Sequence, residues 1–261
     1  MTVFAALFSS DLFQISDFST REAGARAPGL VAQSDFGLVR RGAYVCQMRG
    51  RAHVADPACG LIYYEGDEHH LTSAGPEGFD CTVFEPAAQV MDEAVIAGAL
   101  TTPLSGDTQL AHARLYRAAR QGGDRLAVEE AGMELLHGIA RDRQGLAGIT
   151  PSARDERRVA AARVLIAADL SATLGLSDVA SEAACSPFHL ARLFRAVTGR
   201  SLRDYRLRLR LAAALHRLDE GERDLTATAL DLGFSSHSHM TAAFRRCFGA
   251  PPAALRQALT H

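Results

Sequence analysis

Lysine is absent from all 261 residues, so each of the 28 fixed positive charges is an arginine guanidinium. Such a group is planar, always protonated and able to make bidentate contacts. Cysteine is scarce: Cys46, Cys59, Cys81, Cys185 and Cys247 are an odd number, well separated, with no C-x-x-C. That excludes a disulfide framework and a four-cysteine zinc site, and it fits reduced thiols in a cytoplasm. Redox sensing by one thiol stays open. No apolar run approaches the roughly 20 residues that span a bilayer. The opening MTVFAALFSSDLF lacks a basic n-region and a cleavage site, so a cytoplasmic chain without membrane contact is expected. There is no G-x-S-x-G and no phosphate-binding glycine loop, which removes the commonest hydrolase and nucleotide-binding signals. Hydrophobic residues at 48% and charged residues at 22% exclude a disordered or collagenous chain. The length suits one large domain or two modest ones.

The net charge of −2 hides an asymmetry. Residues 1–151 hold 12 arginines and 19 acids, net −7; residues 152–261 hold 16 arginines and 11 acids, net +5. An acidic half beside a basic one points to a polyanion partner for the second.

Hydrophobic periodicity changes earlier, after Pro103. Up to about residue 90, short alternating runs are separated by turn signals such as Asp56-Pro57 and Gly75-Pro76-Glu77-Gly78. Phe79, Cys81 and Val83 alternate with Asp80, Thr82 and Phe84; Tyr44–Met48 and Leu61–Tyr64 are further strands. Many short strands predict an antiparallel barrel or sandwich. Helices follow at about 107–121 and 124–142, broken by Gly122-Gly123. Leu126, Met133, Leu136 and Ala140 mark the apolar stripe of the second. Residues 144–151 read as a linker. From Asp155 onward the chain reads as helix, with stripes through Val159, Ala162 and Ile166 and through Leu202, Tyr205, Leu209 and Ala212. Arg203, Arg206 and Arg210 share another side of the latter helix.

An internal repeat is the most informative feature. Leu176, Ala180 and Ala184 match Leu225, Ala229 and Gly233 at an offset of 49; Ser186, Leu190, Phe194 and Arg195 match Ser236, Met240, Phe244 and Arg245 at an offset of 50. Each copy reads as helix, tight turn, helix. Ser177 is the expected cap of the first helix, and Ser186 and Ser236 cap the second helices. Leu190, Leu193 and Phe194 face inward in one copy, and Met240, Ala243 and Phe244 in the other. This is the layout of a helix-turn-helix, whose second helix enters a major groove.

Four stretches, A-S-E-A-A-C-S-P-F-H-L-A-R-L-F-R, L-R-D-Y-R-L-R-L-R-L-A-A-A-L, D-L-G-F-S-S-H-S-H-M-T-A-A-F-R-R-C-F-G and P-P-A-A-L-R, closely resemble the AraC/XylS family of bacterial transcription regulators. The resemblance covers about residues 155–259. It implies an α+β two-domain protein, with a cupin-like β-barrel and two helices over 1–150. An all-α double helix-turn-helix domain then occupies 151–261, with units at about 176–198 and 225–248 and a linker helix at about 201–220. It also implies double-stranded promoter DNA as partner, with RNA polymerase and a small-molecule effector as further ones, and no catalytic activity. Phe188 and Arg192 take base-facing positions by this resemblance. Arg192 can pair with guanine, and Phe188 can pack on a thymine methyl. His189, His237, Ser238 and Thr241 complete the base-reading set. Some relatives carry arginine where this chain has Ala242, which weakens readout there. Arg195, Arg245 and Arg246, with Ser186 and Ser236, are the expected phosphate contacts.

Two enzymatic alternatives are weaker. A cupin-type metalloenzyme would draw on His53, His69 and His70, but adjacent histidines on a strand point to opposite faces. No metal or cofactor is therefore expected. A methyl-accepting repair protein needs four cysteines before the linker, and only Cys46, Cys59 and Cys81 precede it. An effector-independent regulator is the remaining alternative. The helices at 107–142 are expected to carry a homodimer contact. Tyr44, Tyr63, Phe79 and Phe84 are expected to line an effector cavity in the barrel, or else to fill it.

Overall fold

A computed structural model describes residues 2–25, 28–90, 100–144 and 151–260. The period-two segments form two antiparallel sheets. One has six strands, β1 (Thr2–Ser9), β2 (Phe13–Thr20), β5 (Asp35–Arg41), β8 (Cys59–Tyr63), β10 (Phe79–Pro86) and β11 (Thr101–Pro103), in the order β1-β2-β10-β5-β8-β11. The other holds β3 (Gly24–Ala25), β6 (Tyr44–Met48), β7 (Arg51–Ala55) and β9 (Glu68–Ser73) in the order β3-β9-β6-β7, with β4 (Gly29–Leu30) also on β9.

Alternation along β10 shows how the sheets divide the core. Phe79 and Cys81 point between the sheets and join Val39, Tyr44, Cys46, Met48, Leu61 and Tyr63. These rings lie on one another: Tyr44 and Tyr63 share a 3.0 Å hydroxyl hydrogen bond, and the Tyr44 and Phe79 ring centroids are 4.6 Å apart. Phe84 corrects the expected cavity lining. It has the opposite parity, so it lies on the outer face of the sheet with Phe13, Phe36 and Leu38. There it is covered by α1 (Gly106–Arg120) and α2 (Arg125–Gln144) through Leu115, Val128, Leu135 and Ile139.

The buried stripe of α2 also differs from the expected one. Val128, Leu135 and Ile139 are buried, whereas Leu126 is 62% exposed and Met133 is half-buried. The helix carries two apolar stripes, and Gly132 selects between them. A β-carbon at Gly132 would stand 2.2 Å from Cζ of Phe13, so only the glycine-bearing face can approach the sheet this closely. Of the expected linker, residues 145–150 lie outside the described residues.

The second half contains α3 (Ala153–Ala168), α4 (Leu176–Glu182), α5 (Pro187–Thr198), α6 (Leu202–Asp219), α7 (Leu225–Asp231), α8 (His237–Phe248) and α9 (Pro252–Thr260). Helix α6 serves as a shared spine. Its Tyr205 and Leu209 pack with Val159, Ile166, Leu190 and Phe194; its Leu211, Leu215 and Leu218 pack with Phe234, Met240, Phe244 and Phe248. Full burial of a side chain such as Phe194 or Phe244 contributes about 1.5–3 kcal/mol. No helix among the described residues is long and apolar enough to cross a membrane.

The acidic and basic halves touch through specific groups. Leu110 of α1 enters the cluster formed by α6 and α8. Asp56, at the turn between β7 and β8, accepts from Arg163 Nη2 at 2.8 Å and from the Tyr205 hydroxyl at 2.5 Å. Beside α1, His112 Nε2 lies 2.8 Å from the Thr82 hydroxyl, and Arg40 donates to the same oxygen at 2.7 Å. Burial, with the Arg40 and His216 charges, pulls the His112 pKa down to about 3.

Candidate nucleic-acid interface

Local chemistry starts each second helix. Ser186 Oγ accepts from the His189 N–H at 3.3 Å, and Pro187 occupies the first turn of α5. Ser236 Oγ accepts from the His239 N–H at 3.1 Å and starts α8 in the same way. Both serines thus use an acceptor lone pair as caps, leaving the hydroxyl proton free to meet a phosphate oxygen. Both helices end on a left-handed glycine, Gly199 and Gly249. The first unit begins differently from expectation. Ser177 lies inside α4, and the cap is Gly175, whose N–H donates to the Asp178 carboxylate at 2.7 Å. Asp178 can thus cap without a serine, because the carboxylate at the third helical position reaches back.

The turns between paired helices need positive φ. Gly233 supplies it at +77° and Ala184 at +50°. Beneath the helices, Ala180 and Ala229 are buried and allow close crossing. With Leu190, Phe194, Met240 and Phe244 pinned inward, the opposite faces are fixed outward.

On α5, Phe188 is 80% exposed. Arg192 and Arg195 are exposed as well. On the same helix Leu190 and Phe194 are buried and Leu193 and Val197 half-buried, so Phe188 is its one large apolar side chain that stands fully outward. On α8, His237, Ser238, Ala242, Arg245 and Arg246 are exposed, and Thr241 is half-buried with its hydroxyl 3.3 Å from His237 Nε2. Ion pairs occupy most arginines of the first half, such as Arg41 with Asp80 at 2.6 Å and Arg117 with Asp219 at 2.7 Å. Among the described residues, Arg192, Arg195, Arg245 and Arg246 have no such partner. Four uncompensated guanidiniums on two helix faces attract a polyanion and carry a readout capacity that paired ones lack.

His189 does not share that face. It is half-buried, with Nε2 3.3 Å from Arg158 Nη1 on α3, and Arg158 also reaches the Ala184 carbonyl at 3.4 Å. It braces the turn. Its counterpart at an offset of 50, His239, is exposed beside Ser235 Oγ at 3.1 Å. The repeat was the signal that could have added His239 to the outward set. Arg206 and Arg210 are likewise engaged, holding the Leu170 carbonyl at 3.2 and 2.8 Å, while Arg203 is exposed. The barrel histidines are dispersed: His70 lies opposite Gln47 in the β6–β9 register, and His69 packs edge-on against Tyr63. Among the described residues no group of three or more histidines, cysteines or acids is arranged to hold a metal.

Residues 179–258 match a family model described as a helix-turn-helix domain. A putative AraC-like transcription regulator of Streptomyces lividans is 33% identical over 99 residues, which are 38% of this chain and 33% of that protein. The chain thus spans about a third of the length of this relative. Regulatory protein SoxS of Escherichia coli K12 is 36% identical over 86 residues, covering 33% of this chain and 80% of SoxS. Among solved structures, ToxT from Vibrio cholerae aligns over 96% of this chain and 100% of ToxT, at 13% identity and a TM-score of 0.40.

Proposed function

The chain belongs to the AraC/XylS family of transcription regulators, and on that premise we propose that it reads promoter DNA with α5 and α8. The observation that carries this reading is the outward face of α5, where Phe188 and the unpaired Arg192 stand exposed together. Arg192 reads a guanine edge, and Phe188 packs on a thymine methyl. His237, Ser238 and Thr241 read the second segment. Arg195, Arg245 and Arg246 hold phosphates, aided by Ser186 and Ser236. The two helices sit on the common spine α6 and enter groove segments about one helical turn, 34–36 Å, apart.

The first half is a sensing and dimerising domain. The protein works in the cytoplasm as a homodimer, without catalysis, and an effector or RNA polymerase contact sets its output. The test uses a duplex selected from a random pool and a scrambled control. Arg192→Ala should cost about 1–3 kcal/mol on the selected duplex and relax preference at one base pair. Arg195→Ala or Arg245→Ala should weaken both duplexes alike and reduce the salt slope by about one. Equal losses for Arg192→Ala on both duplexes would remove its base-reading role.

A further inference from the structure

Each helix-turn-helix core takes in part of the first half. Ala58, in the turn between β7 and β8, is buried with Val159, Leu190 and Phe194 in the core beneath α5. Leu110 of α1 is buried with Phe234, Met240 and Phe244 in the core beneath α8. The two inserted points are tied to each other. The Leu104 N–H, just before α1, donates to the Ala58 carbonyl at 2.9 Å. Gln109 Nε2 donates to the Pro57 carbonyl at 2.7 Å. Gln109 is buried, and its Oε1 has no hydrogen-bond partner among the described residues. A methionine would fill similar space without leaving an acceptor unpaired, so packing alone does not account for the amide. Gly106, the first residue of α1, lies against the last turn of α8. A β-carbon there would stand 2.2 Å from the Cys247 carbonyl oxygen and 2.7 Å from its Sγ. The turn at 56–58 and the first turns of α1 thus form one wedge that touches both units.

Otherwise the units are joined by α6, which serves one through Tyr205 and Leu209 and the other through Leu211, Leu215 and Leu218. A single helix leaves bending as a freedom between them. A second connection beside it closes a frame, and close-packed interiors transmit a displacement instead of absorbing it. We propose that the wedge sets the position of α5 relative to α8, with Gly106 and Gln109 as its positioning residues. The first half thereby decides which spacing of groove segments the protein accepts. This role rests on the reading of α5 and α8 as DNA-reading helices; the wedge itself does not. A shift of α1 or of the turn moves one core against the other while each recognition helix keeps its own outward face. The property under control is therefore tolerance of spacing, not choice of bases.

The test uses the full chain on the selected duplex and on a duplex with one base pair inserted between the two segments. The insertion moves the second segment by about 3.4 Å and turns it by about 35°. The wild type should bind the inserted duplex at least about tenfold more weakly, because the contacts of one segment are lost. Gly106→Ala forces α1 away from α8, and Gln109→Met cuts α1 from the Pro57 turn; each should lose no more than about threefold on insertion. Gly75→Ala, with nothing within 4 Å of its added β-carbon, should behave as the wild type. A merely structural role would weaken both duplexes by one factor and leave their ratio as in the wild type. A second arm omits DNA. Nitroxide labels on p-acetylphenylalanine, introduced in place of Arg192 and Ala242, report the distance between α5 and α8 by double electron–electron resonance. One narrow distribution is expected without further substitution, and a broader or displaced one with Gly106→Ala or Gln109→Met. Melting followed by circular dichroism identifies a variant that does not fold; if Gly106→Ala is one, Gln109→Met decides alone. Wild-type tolerance of the insertion overturns the proposal, because no frame then holds the two helices. So does a wild-type duplex ratio, or an unchanged label distribution, in both variants, because α6 then fixes the helices unaided. A wild type that binds no selected duplex counts against the regulator reading alone, and the label distances then decide the wedge.

Discussion

Single residues decide how the two repeated turns are made, and they decide differently. Ala184 sits at φ +50°, a region that costs an L-residue about 1–2 kcal/mol. Its counterpart Gly233 has φ +77°, and a β-carbon there would lie 3.0 Å from the Leu170 carbonyl oxygen and 2.6 Å from Arg210 Nη2. Ala184→Gly should therefore stabilise the protein, by up to about 1 kcal/mol once the greater freedom of glycine in the unfolded chain is set against the relieved strain. Gly233→Ala should destabilise by more than about 1 kcal/mol, because strain and crowding add. Urea unfolding of both variants checks the pair, and opposite signs are the expected result. A destabilised Ala184→Gly would show that the alanine methyl contributes packing that outweighs the strain. At this scale the sequence was legible where chemistry is local. The caps Ser186 and Ser236, the turn positions and the outward Phe188 follow from spacing alone, whereas the expected cap Ser177 lies inside its helix. The engagement of His189 by Arg158 does not, because Arg158 comes from a different helix, 31 positions away.

Elements were legible wherever one periodicity dominated. In the second half, α3 carries a single apolar stripe, and its Val159, Ala162 and Ile166 are all buried as the spacing requires. Helix α2 was ambiguous because two stripes compete on it, and the choice lies in a tertiary contact, Gly132 against Phe13. The stripe left over is informative. Leu126 and Met133 border a surface groove of about 710 Å³ with Leu110 and Ala111, flanked by Glu130, Glu134, Arg114 and Arg141. Acids and arginines on one rim are self-complementary about a two-fold axis, as an isologous dimer contact demands. We therefore expect a homodimer through α1 and α2, and Met133→Glu should weaken it at least about tenfold, or 1.4 kcal/mol. Sedimentation of both proteins at tens of micromolar measures this. A monomeric wild type would refute the contact, and a dimer indifferent to Met133→Glu would move it to another face.

At the scale of the whole molecule, the acidic and basic halves are joined by a buried network that composition could not reveal. Charge counting separates the halves at residue 151, yet the most deeply buried ion pair across that boundary, among the described residues, is Asp56 with Arg163. Their side chains are 0% and 8% exposed, and the Tyr205 hydroxyl lies on the same carboxylate oxygen. Asp56 stood in the sequence only as a turn signal before Pro57, and its 107-residue separation from Arg163 is beyond any periodicity. Removing one partner from such a pair leaves the other charge buried alone, at a cost of about 3–5 kcal/mol, whereas exchanging both for apolar groups is often near neutral. Asp56→Asn should therefore destabilise the protein by about that amount. Asp56→Leu combined with Arg163→Met should recover most of it. With no tryptophan in the chain, urea unfolding is best followed by circular dichroism for the helices and by tyrosine fluorescence for the barrel and α6. In the wild type the two signals should change together; in Asp56→Asn the helical signal should fall first, because the network that ties α3 and α6 to the barrel is gone. The double variant separates the two contributions of the network. If it regains stability but its DNA affinity no longer responds to a ligand of the first half, the buried charges carry the coupling and apolar packing carries the stability. If Asp56→Asn unfolds like the wild type, the halves are held by the α1 contacts with α6 and α8 instead, and the network has no mechanical role.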